Sequence, residues 1–207
     1  MADKVDLKKT LKPYFSASKK AWDEVTFPAY RYLKVDGQGS PGDSPEYVAA
    51  LEVLYPAAYG TKFFSKLDLG RDYVVPPLEG VWWADDMDAF TTAGRRDEWR
   101  WTLMLMLPPW IEGAHVSEAL GRQAKKKPDL DFSSVRFEAL EEGLCLQRLH
   151  VGPFADEAPV LRQLHHELIP EGGYAFQGNH HEIYLSDPRR TAPEKLRTVL
   201  RQPVTRA

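Results

Sequence analysis

The segment from His180 to Leu185 carries the residue types with the clearest chemical potential in this chain. As a β-strand, its sequence His-His-Glu-Ile-Tyr-Leu places His180, Glu182 and Tyr184 on one face of a sheet, and the alternate residues face the core. A glutamate two residues before a tyrosine indicates either an acid paired with a hydroxyl group in a pocket or a solvated strand face. Spacing alone favours the solvated face, because glutamate side chains are mostly exposed. Both interpretations stay open at this point.

Tryptophans are the second chemical signal, and all six lie in the first 110 residues: Trp22, Trp82, Trp83, Trp99, Trp101 and Trp110. Alternation from residue 98 to residue 107 places Trp99 and Trp101 on one strand face. If Glu182 faces this strand across a cleft, desolvation by the indoles destabilises its charged form. Such a carboxylate would be either a general base or the countercharge of a cationic ligand.

The histidine pairs His165-His166 and His180-His181 lack the spacing of a metal site. Adjacent side chains diverge in a helix or a strand, so the two imidazoles of a pair do not converge on one ion. Cys145, the single cysteine, lies in an alternating apolar run and is expected to be a small buried residue. No glycine-rich phosphate loop precedes a helix. We therefore expect no metal and no cofactor.

The elements that must position these residues occur in the order β-α-β-β. A strand that alternates from Pro28 onward ends at the turn residues 36–39, and a helix capped by Ser44 follows, with strain expected at Pro56. Two strand-like runs then cover residues 73–84 and 98–107, the first of them interrupted by prolines. Both faces of the second run are apolar, which predicts a strand covered on both sides.

The second half of the chain repeats this order. Strands are predicted at residues 136–140, 144–151, 180–186 and 196–204, with helices at 111–125 and 156–168. This repetition predicts an α+β fold of two duplicated β-α-β-β units related by a pseudo-twofold axis, at about residues 28–110 and 134–204. Pairing the units would bury a common core and leave a ligand cleft between them.

Composition narrows the class of protein. The 27 basic and 30 acidic residues give a net charge of −3, which disfavours a nucleic-acid partner. No apolar stretch approaches the ~18 residues of a membrane span, and the first residues lack the apolar region of a signal peptide. We expect a cytoplasmic monomer or homodimer, with residues 1–27 as an arm lying over a single domain at 28–207.

Four segments resemble the stand-alone branch of the GyrI-like small-molecule-binding family: residues 32–39 (YLKVDGQG), 98–104 (EWRWTLM), 149–154 (LHVGPF) and 180–188 (HHEIYLSDP). The resemblance extends from about Leu7 to Val204, and the last segment with its continuation at 193–203 is the most specific part. It implies duplicated β-α-β-β units of the SHS2 type around a hydrophobic cleft, with a buried glutamate and aromatic walls. Family members bind bulky lipophilic drugs, and some stand-alone members hydrolyse the cyclopropane of DNA-alkylating toxins.

The resemblance implies a pocket role for Glu182, as the base that activates water, with Tyr184 as a hydrogen-bond donor to the ligand carbonyl. The ligand-binding residues that it implies are Trp82, Trp83, Trp101, Trp110, Glu98 and His180. A further acid is sought among Glu79, Glu98 and Glu112. The first hypothesis is therefore a detoxifying cyclopropyl hydrolase. The alternative is a non-catalytic protein that sequesters drugs, and a protein-interaction module is a third that no residue supports.

Overall fold

The computed structural model describes residues 4–42, 44–86 and 95–207. Its strands are β1 (Asp23–Phe27), β2 (Tyr30–Gln38), β3 (Glu79–Trp83), β4 (Arg100–Leu107), β5 (Arg136–Leu140), β6 (Gly143–Val151), β7 (Tyr174–Phe176), β8 (His180–Tyr184) and β9 (Arg197–Arg206). Its α-helices are α1 (Leu7–Thr10), α2 (Pro45–Leu67), α3 (Gly113–Lys126), α4 (Glu157–Gln163) and α5 (Ile169–Glu171). A π-helical turn, Leu164–Leu168, joins α4 to α5.

All strand pairs are antiparallel, and the sheet has the order β1-β6-β9-β8-β3-β4-β2-β5, with β7 on the end of β9. Strands β3 and β8 therefore meet in the middle, where Gly80 lies opposite Glu182 and Trp82 opposite His180. The predicted α+β class is confirmed. Each half supplies three strands in one pairing order, β2-β4-β3 and β6-β9-β8. A duplication of one unit, and the domain limits derived from it, stay predictions.

Strand β4 is covered on both faces, as its apolar sequence predicts. Trp101 and Leu103 pack in the core beneath α2, whereas Met104 and Met106 pack in a second core on the opposite face. All four side chains are completely buried. The α2 and α3 helices thus cover one face of the sheet in this half, and the N-terminal arm covers the other.

Helix α2 begins where the sequence predicts. The Ser44 side chain accepts a hydrogen bond from the backbone N–H of Tyr47, and Pro45 occupies the first turn, where its missing N–H costs nothing. The helix continues through Pro56 to Leu67. Among the described residues, none of the helices combines the length and apolarity needed to cross a bilayer.

The structure differs from the sequence predictions in the limits of several strands and helices. Strand β3 starts only at Glu79, because Pro76 and Pro77 cannot donate to a strand ladder. The sequence assigns residues 23–27 to the arm, but they form β1, which pairs with β6. The predicted helix at 156–168 changes to π-helical geometry at Leu164.

The N-terminal arm contributes to the core and does not merely lie over it. Leu7, Tyr14 and Phe15 are buried against the face of the sheet opposite α2. Val5 forms a parallel bridge with Tyr73. The first three residues of the predicted arm lie outside the described ranges.

Candidate functional site

A cavity of about 1190 Å³ lies over the central strands β3 and β8, between α2 and α4. Trp82, His180, Glu182 and Tyr184 form its floor, Tyr47, Leu51 and Tyr55 come from α2, and Glu157, Leu161 and His165 come from α4 and the π-helical turn. Most of these side chains are aromatic or aliphatic, and the acids and imidazoles lie among them. The cavity therefore has the composition of a binding site for an apolar molecule with a few polar groups.

A chain of hydrogen bonds orients Glu182 on this floor. The indole N–H of Trp82 donates to the Tyr184 hydroxyl oxygen at 3.0 Å, and the Tyr184 hydroxyl donates to Oε2 of Glu182 at 2.8 Å. Gly80 makes this contact possible, because a Cβ there would lie 2.7 Å from the Trp82 nitrogen and 3.1 Å from the Tyr184 oxygen. Burial and the charge of Glu182 raise the pKa of Tyr184 well above its ordinary value, so the hydroxyl stays protonated.

Glu157 is a second acid in the cavity, and the sequence did not reveal it. Its side chain is only 5% exposed, and burial together with the charge of Glu182 raises its pKa from 4.5 to about 10. Glu157 is therefore protonated at neutral pH. In the sequence it is an acid in the first turn of a helix, where glutamate is common because it complements the helix dipole. Nothing local signals that it is buried.

Two imidazoles add to the polar part of the cavity. His180 is 3% exposed, and its Nε2 lies 3.5 Å from Oε1 of Glu182. Burial, followed by the proximity of His180, lowers the pKa of His165 from 6.5 to about 4. Within the described ranges, no group of three or more histidine, cysteine or acidic side chains is placed to hold a metal ion.

Comparisons with known proteins identify the family. A sequence profile of the GyrI-like small molecule binding domain matches residues 123–205, which include Glu157, Glu182 and Tyr184. An uncharacterized conserved protein from Listeria innocua, known from a crystal structure, is 40% identical, with a TM-score of 0.88 over 98% of this chain and 100% of that chain. The protein belongs to the GyrI-like family. Its small-molecule-binding role, expected from the sequence, is thereby supported at the level of the family.

Two further crystal structures from Listeria innocua, each named a hydrolase, are similar to this GyrI-like protein along its whole length. They are 39% and 38% identical, with TM-scores of 0.83 and 0.85, and each alignment covers 98% of this chain and 100% of the other. No curated protein matches the chain.

Of the tryptophans expected to bind ligand in this GyrI-like protein, Trp82 lies in the cavity and Trp101 does not. Trp82 packs edge-on against Trp99, which also lines the cavity, with ring centroids 6.0 Å apart. Trp101 is completely buried in the core instead, where its ring covers Gly37 so closely that a Cβ there would lie 2.0 Å from it. The reason is strand order, because β8 pairs with β3 and not with β4.

Three other residues expected to bind ligand, Trp83, Trp110 and Glu98, lie outside the cavity lining. Trp83 is half-buried at the end of β3. Trp110 donates its N–H to the Ser65 hydroxyl at 3.0 Å, and the Arg71 guanidinium carbon lies 3.9 Å from the centroid of its ring. Glu98 pairs with Arg95 at 2.6 Å and is half-exposed, and Glu112 stands at the N-terminus of α3. The structure therefore brings together Glu182, Tyr184, Trp82 and His180 from the set that the sequence predicts.

Glu79, the other acid left open by the sequence, belongs to a separate buried cluster on the opposite face of β3 and β8. Nε2 of His181 lies 3.0 Å from Glu79, and Nδ1 lies 2.8 Å from Glu142. Arg201 donates to Glu142 at 2.7 Å, and the Tyr14 hydroxyl donates to Glu79 at 2.6 Å. All five side chains are buried, so each charge in the cluster is neutralised by a partner and not by water.

The groups in this buried cluster shift one another's pKa values strongly. Burial alone would lower the pKa of His181, but Glu142 and Glu79 outweigh burial and raise it from 6.5 to about 9. Burial would likewise raise the pKa of Glu142, but His181 and Arg201 lower it from 4.5 to about 2. His181 and Glu142 are therefore both charged at neutral pH.

Proposed function

We propose that this GyrI-like protein binds bulky, lipophilic aromatic molecules and detoxifies reactive cyclopropane-containing DNA alkylators by adding water to them. One observation carries the proposal: two carboxyl groups, Glu157 and Glu182, line an aromatic cavity, where burial and the charge of Glu182 raise the pKa of Glu157. Environments that push the pKa values of two acids apart are typical of acid–base catalysis. The two hydrolases that are 38–39% identical along the whole chain support the same class of reaction.

In the proposed reaction, Glu182 accepts a proton from a water molecule while the water oxygen attacks the cyclopropane carbon. The C–C bond of the ring breaks, and its electron pair moves through the conjugated dienone to the carbonyl oxygen. Glu157 donates its proton to that oxygen, and proton transfer through the cavity then restores both acids. A positioned acid or base contributes roughly 10²–10⁴-fold to such a step.

Tyr184 has a positioning role in this proposal. The sequence suggests a donor to the ligand carbonyl, but the hydroxyl hydrogen of Tyr184 is engaged by Glu182 at 2.8 Å. Tyr184, held in turn by Trp82, fixes the carboxylate of Glu182 toward the water. The protonated Glu157 is then a group that can donate a hydrogen to the ligand carbonyl. Phe154, packed edge-on against Tyr184 with centroids 5.8 Å apart, and Trp99 supply aromatic surface for a flat ligand.

The test is incubation with a cyclopropane-bearing DNA alkylator in heavy-oxygen water, with the ring-opened product measured by mass spectrometry. We expect one heavy oxygen in the product, and roughly 10²–10⁴-fold slower turnover in Glu182→Gln and in Glu157→Gln, with binding nearly unchanged. The matched control is Glu52→Gln, because Glu52 is an exposed acid at the rim of the same cavity. Wild-type turnover in Glu182→Gln would contradict its role as the base.

Sequestration without catalysis is the alternative function, and the position of Glu182 beside aromatic rings favours it specifically. A carboxylate that shares the cavity with the Trp82 ring suits a lipophilic cation, which would gain from both the charge and the ring face. In the same experiment, stoichiometric binding of the alkylator without any ring-opened product would support this alternative and contradict the hydrolase.

A further inference from the structure

We propose that His165 and His180 form a polar subsite of the cavity, which binds an uncharged carbonyl group of the ligand, such as a ketone or an amide. This inference rests on the proposed use of the cavity as a binding site. It adds that the cavity prefers ligands with a carbonyl group. It concerns recognition of the ligand and is independent of whether the ligand is hydrolysed.

The first observation is that these imidazoles have unused hydrogen-bonding capacity. His180 is 3% exposed, yet neither of its ring nitrogens has a hydrogen-bond partner among the described residues. The same holds for the buried Nε2 of His165, and both side chains line the cavity. Buried polar atoms are almost always paired, so an unpaired group at a cavity wall indicates a ligand that pairs with it.

The second observation is the backbone that presents His165. It is the second residue of the π-helical turn Leu164–Leu168, between α4 and α5. A π-helical turn holds an additional residue and so changes the direction of the side chains within it, and such turns are frequent at functional sites. Here Leu164 is completely buried in the core, His165 lines the cavity and His166 is exposed.

The third observation concerns charge. Burial and His180 lower the pKa of His165 to about 4, so this imidazole is neutral at neutral pH. A neutral imidazole carries one N–H donor whichever tautomer it adopts. His180 likewise carries at least one N–H in either protonation state, so the two side chains match the two lone pairs of a carbonyl oxygen. The nearby carboxylate of Glu182 would repel an anionic group at this subsite.

The experiment compares fluorenone with fluorene, two flat tricyclic molecules that differ by a carbonyl group in place of a methylene, and it measures affinity by quenching of tryptophan fluorescence. We expect the wild-type protein to bind fluorenone roughly three- to tenfold more tightly than fluorene, as one or two hydrogen bonds allow. His165→Phe should remove this difference and keep the affinity for fluorene. The phenyl ring preserves the edge-on packing on Phe176, whose centroid lies 5.2 Å away.

The matched control is His166→Phe, the same change one residue further along at an exposed position, which should keep the preference for fluorenone. His165→Asn, which restores an N–H donor, should recover part of the preference and guards against a folding defect in the phenylalanine variant. Equal affinity of the wild-type protein for the two probes, including no measurable affinity for either, overturns the proposal. So does a preference that survives in His165→Phe. Turnover is not measured, so a failure of hydrolysis and a failure of this subsite are distinguishable.

Discussion

Glu142 and Glu157 show how strongly position controls the chemistry of one residue type. Both are almost completely buried, and both would be raised in pKa by burial alone. Glu142 lies against His181 and Arg201, so its pKa falls to about 2, whereas Glu157 has the negative charge of Glu182 as its main charged neighbour, and its pKa rises to about 10. The sign of the neighbouring charge therefore decides which glutamate is a structural anion and which is an acid.

The raised pKa of Glu157 predicts a pH-dependent cost to stability. Folded Glu157 keeps its proton between about pH 4.5 and pH 10, where the unfolded chain has released it. The stability that it contributes is therefore present below about pH 4.5 and is lost as the pH rises toward 10. Relative to Glu157→Gln, the free energy of unfolding of the wild-type protein should fall by up to roughly 1 kcal/mol per pH unit in this window.

Chemical denaturation of both proteins at several pH values between about 5 and about 9 measures this difference. Glu167→Gln is the control, since Glu167 is an exposed acid in the same helical segment and its substitution should leave the pH slope unchanged. A pH-independent difference between the wild-type protein and Glu157→Gln would contradict the assignment of Glu157 as a protonated acid.

Trp101 and Trp82 should respond differently to truncation. Trp101→Ala should lower the free energy of unfolding by ~3–5 kcal/mol, because it opens a sealed void beneath α2, and it should leave the affinity for fluorene nearly unchanged. Trp82→Ala should weaken that affinity by ~1–3 kcal/mol, because the ring is part of the cavity wall. Denaturation and fluorescence titration of both variants check this. Loss of affinity in Trp101→Ala with an unchanged free energy of unfolding would reverse our assignment.

At the scale of elements, strand β8 serves two sites at once. Its even-numbered residues face the cavity, while His181 belongs to the charged cluster on the other face. Strand β9 lies beside it and supplies Arg201, which contacts Glu142 and donates to the backbone oxygen of Tyr14 at 2.7 Å. These contacts tie the N-terminal arm to the strand that carries Glu182.

Two arginines of β9 provide a matched test of this connection. Glu142 has two cationic neighbours, His181 and Arg201, and Arg201→Met removes the second of them. We expect this change to lower the free energy of unfolding by ~3–5 kcal/mol. Arg206 lies on the same strand as Arg201, and Arg206→Met removes its exposed ion pair with Glu24 of β1. We expect this change to lower the free energy of unfolding by less than ~1 kcal/mol. Urea denaturation measures both. Equal losses of unfolding free energy in the two variants would mean that the buried ion pair of Arg201 stabilises the fold no more than an exposed one.

At the scale of the whole molecule, the charged cluster predicts the pH range of maximum stability. The pKa of His181 is raised from 6.5 to about 9, so its contribution is complete below about pH 6.5 and is lost as the pH rises through about 9. The pKa of Glu142 is lowered from 4.5 to about 2, so its contribution is present above about pH 4.5 and is lost as the pH falls through about 2. Stability should therefore be greatest near pH 5 to 6.

We expect the free energy of unfolding to fall by roughly 2–3 kcal/mol between about pH 6.5 and about pH 9.5 as His181 loses its proton. The measurement is best made in Glu157→Gln, which removes the other group that destabilises the fold in this range. A free energy that stays constant over this range in that variant would mean that His181 is not protonated in the folded protein.

The sequence by itself determined the features that depend on neighbours along the chain. Strand alternation assigned His180, Glu182 and Tyr184 to one face and His181 to the other, and Ser44 with Pro45 marked the start of α2. The apolar faces of β4 predicted cover on both sides. These predictions hold because side-chain direction, capping and turn geometry are set within a few residues.

Only the tertiary structure decided which strands meet and which charges are buried. Strand β8 lies beside β3, so Trp82 reaches the cavity and Trp101 fills the core over Gly37. Glu157 becomes an acid because a distant strand brings Glu182 near it and the helix buries it. A pKa depends on desolvation and on the charges that the fold brings close, and strand order depends on long-range pairing. Neither quantity is encoded in local spacing.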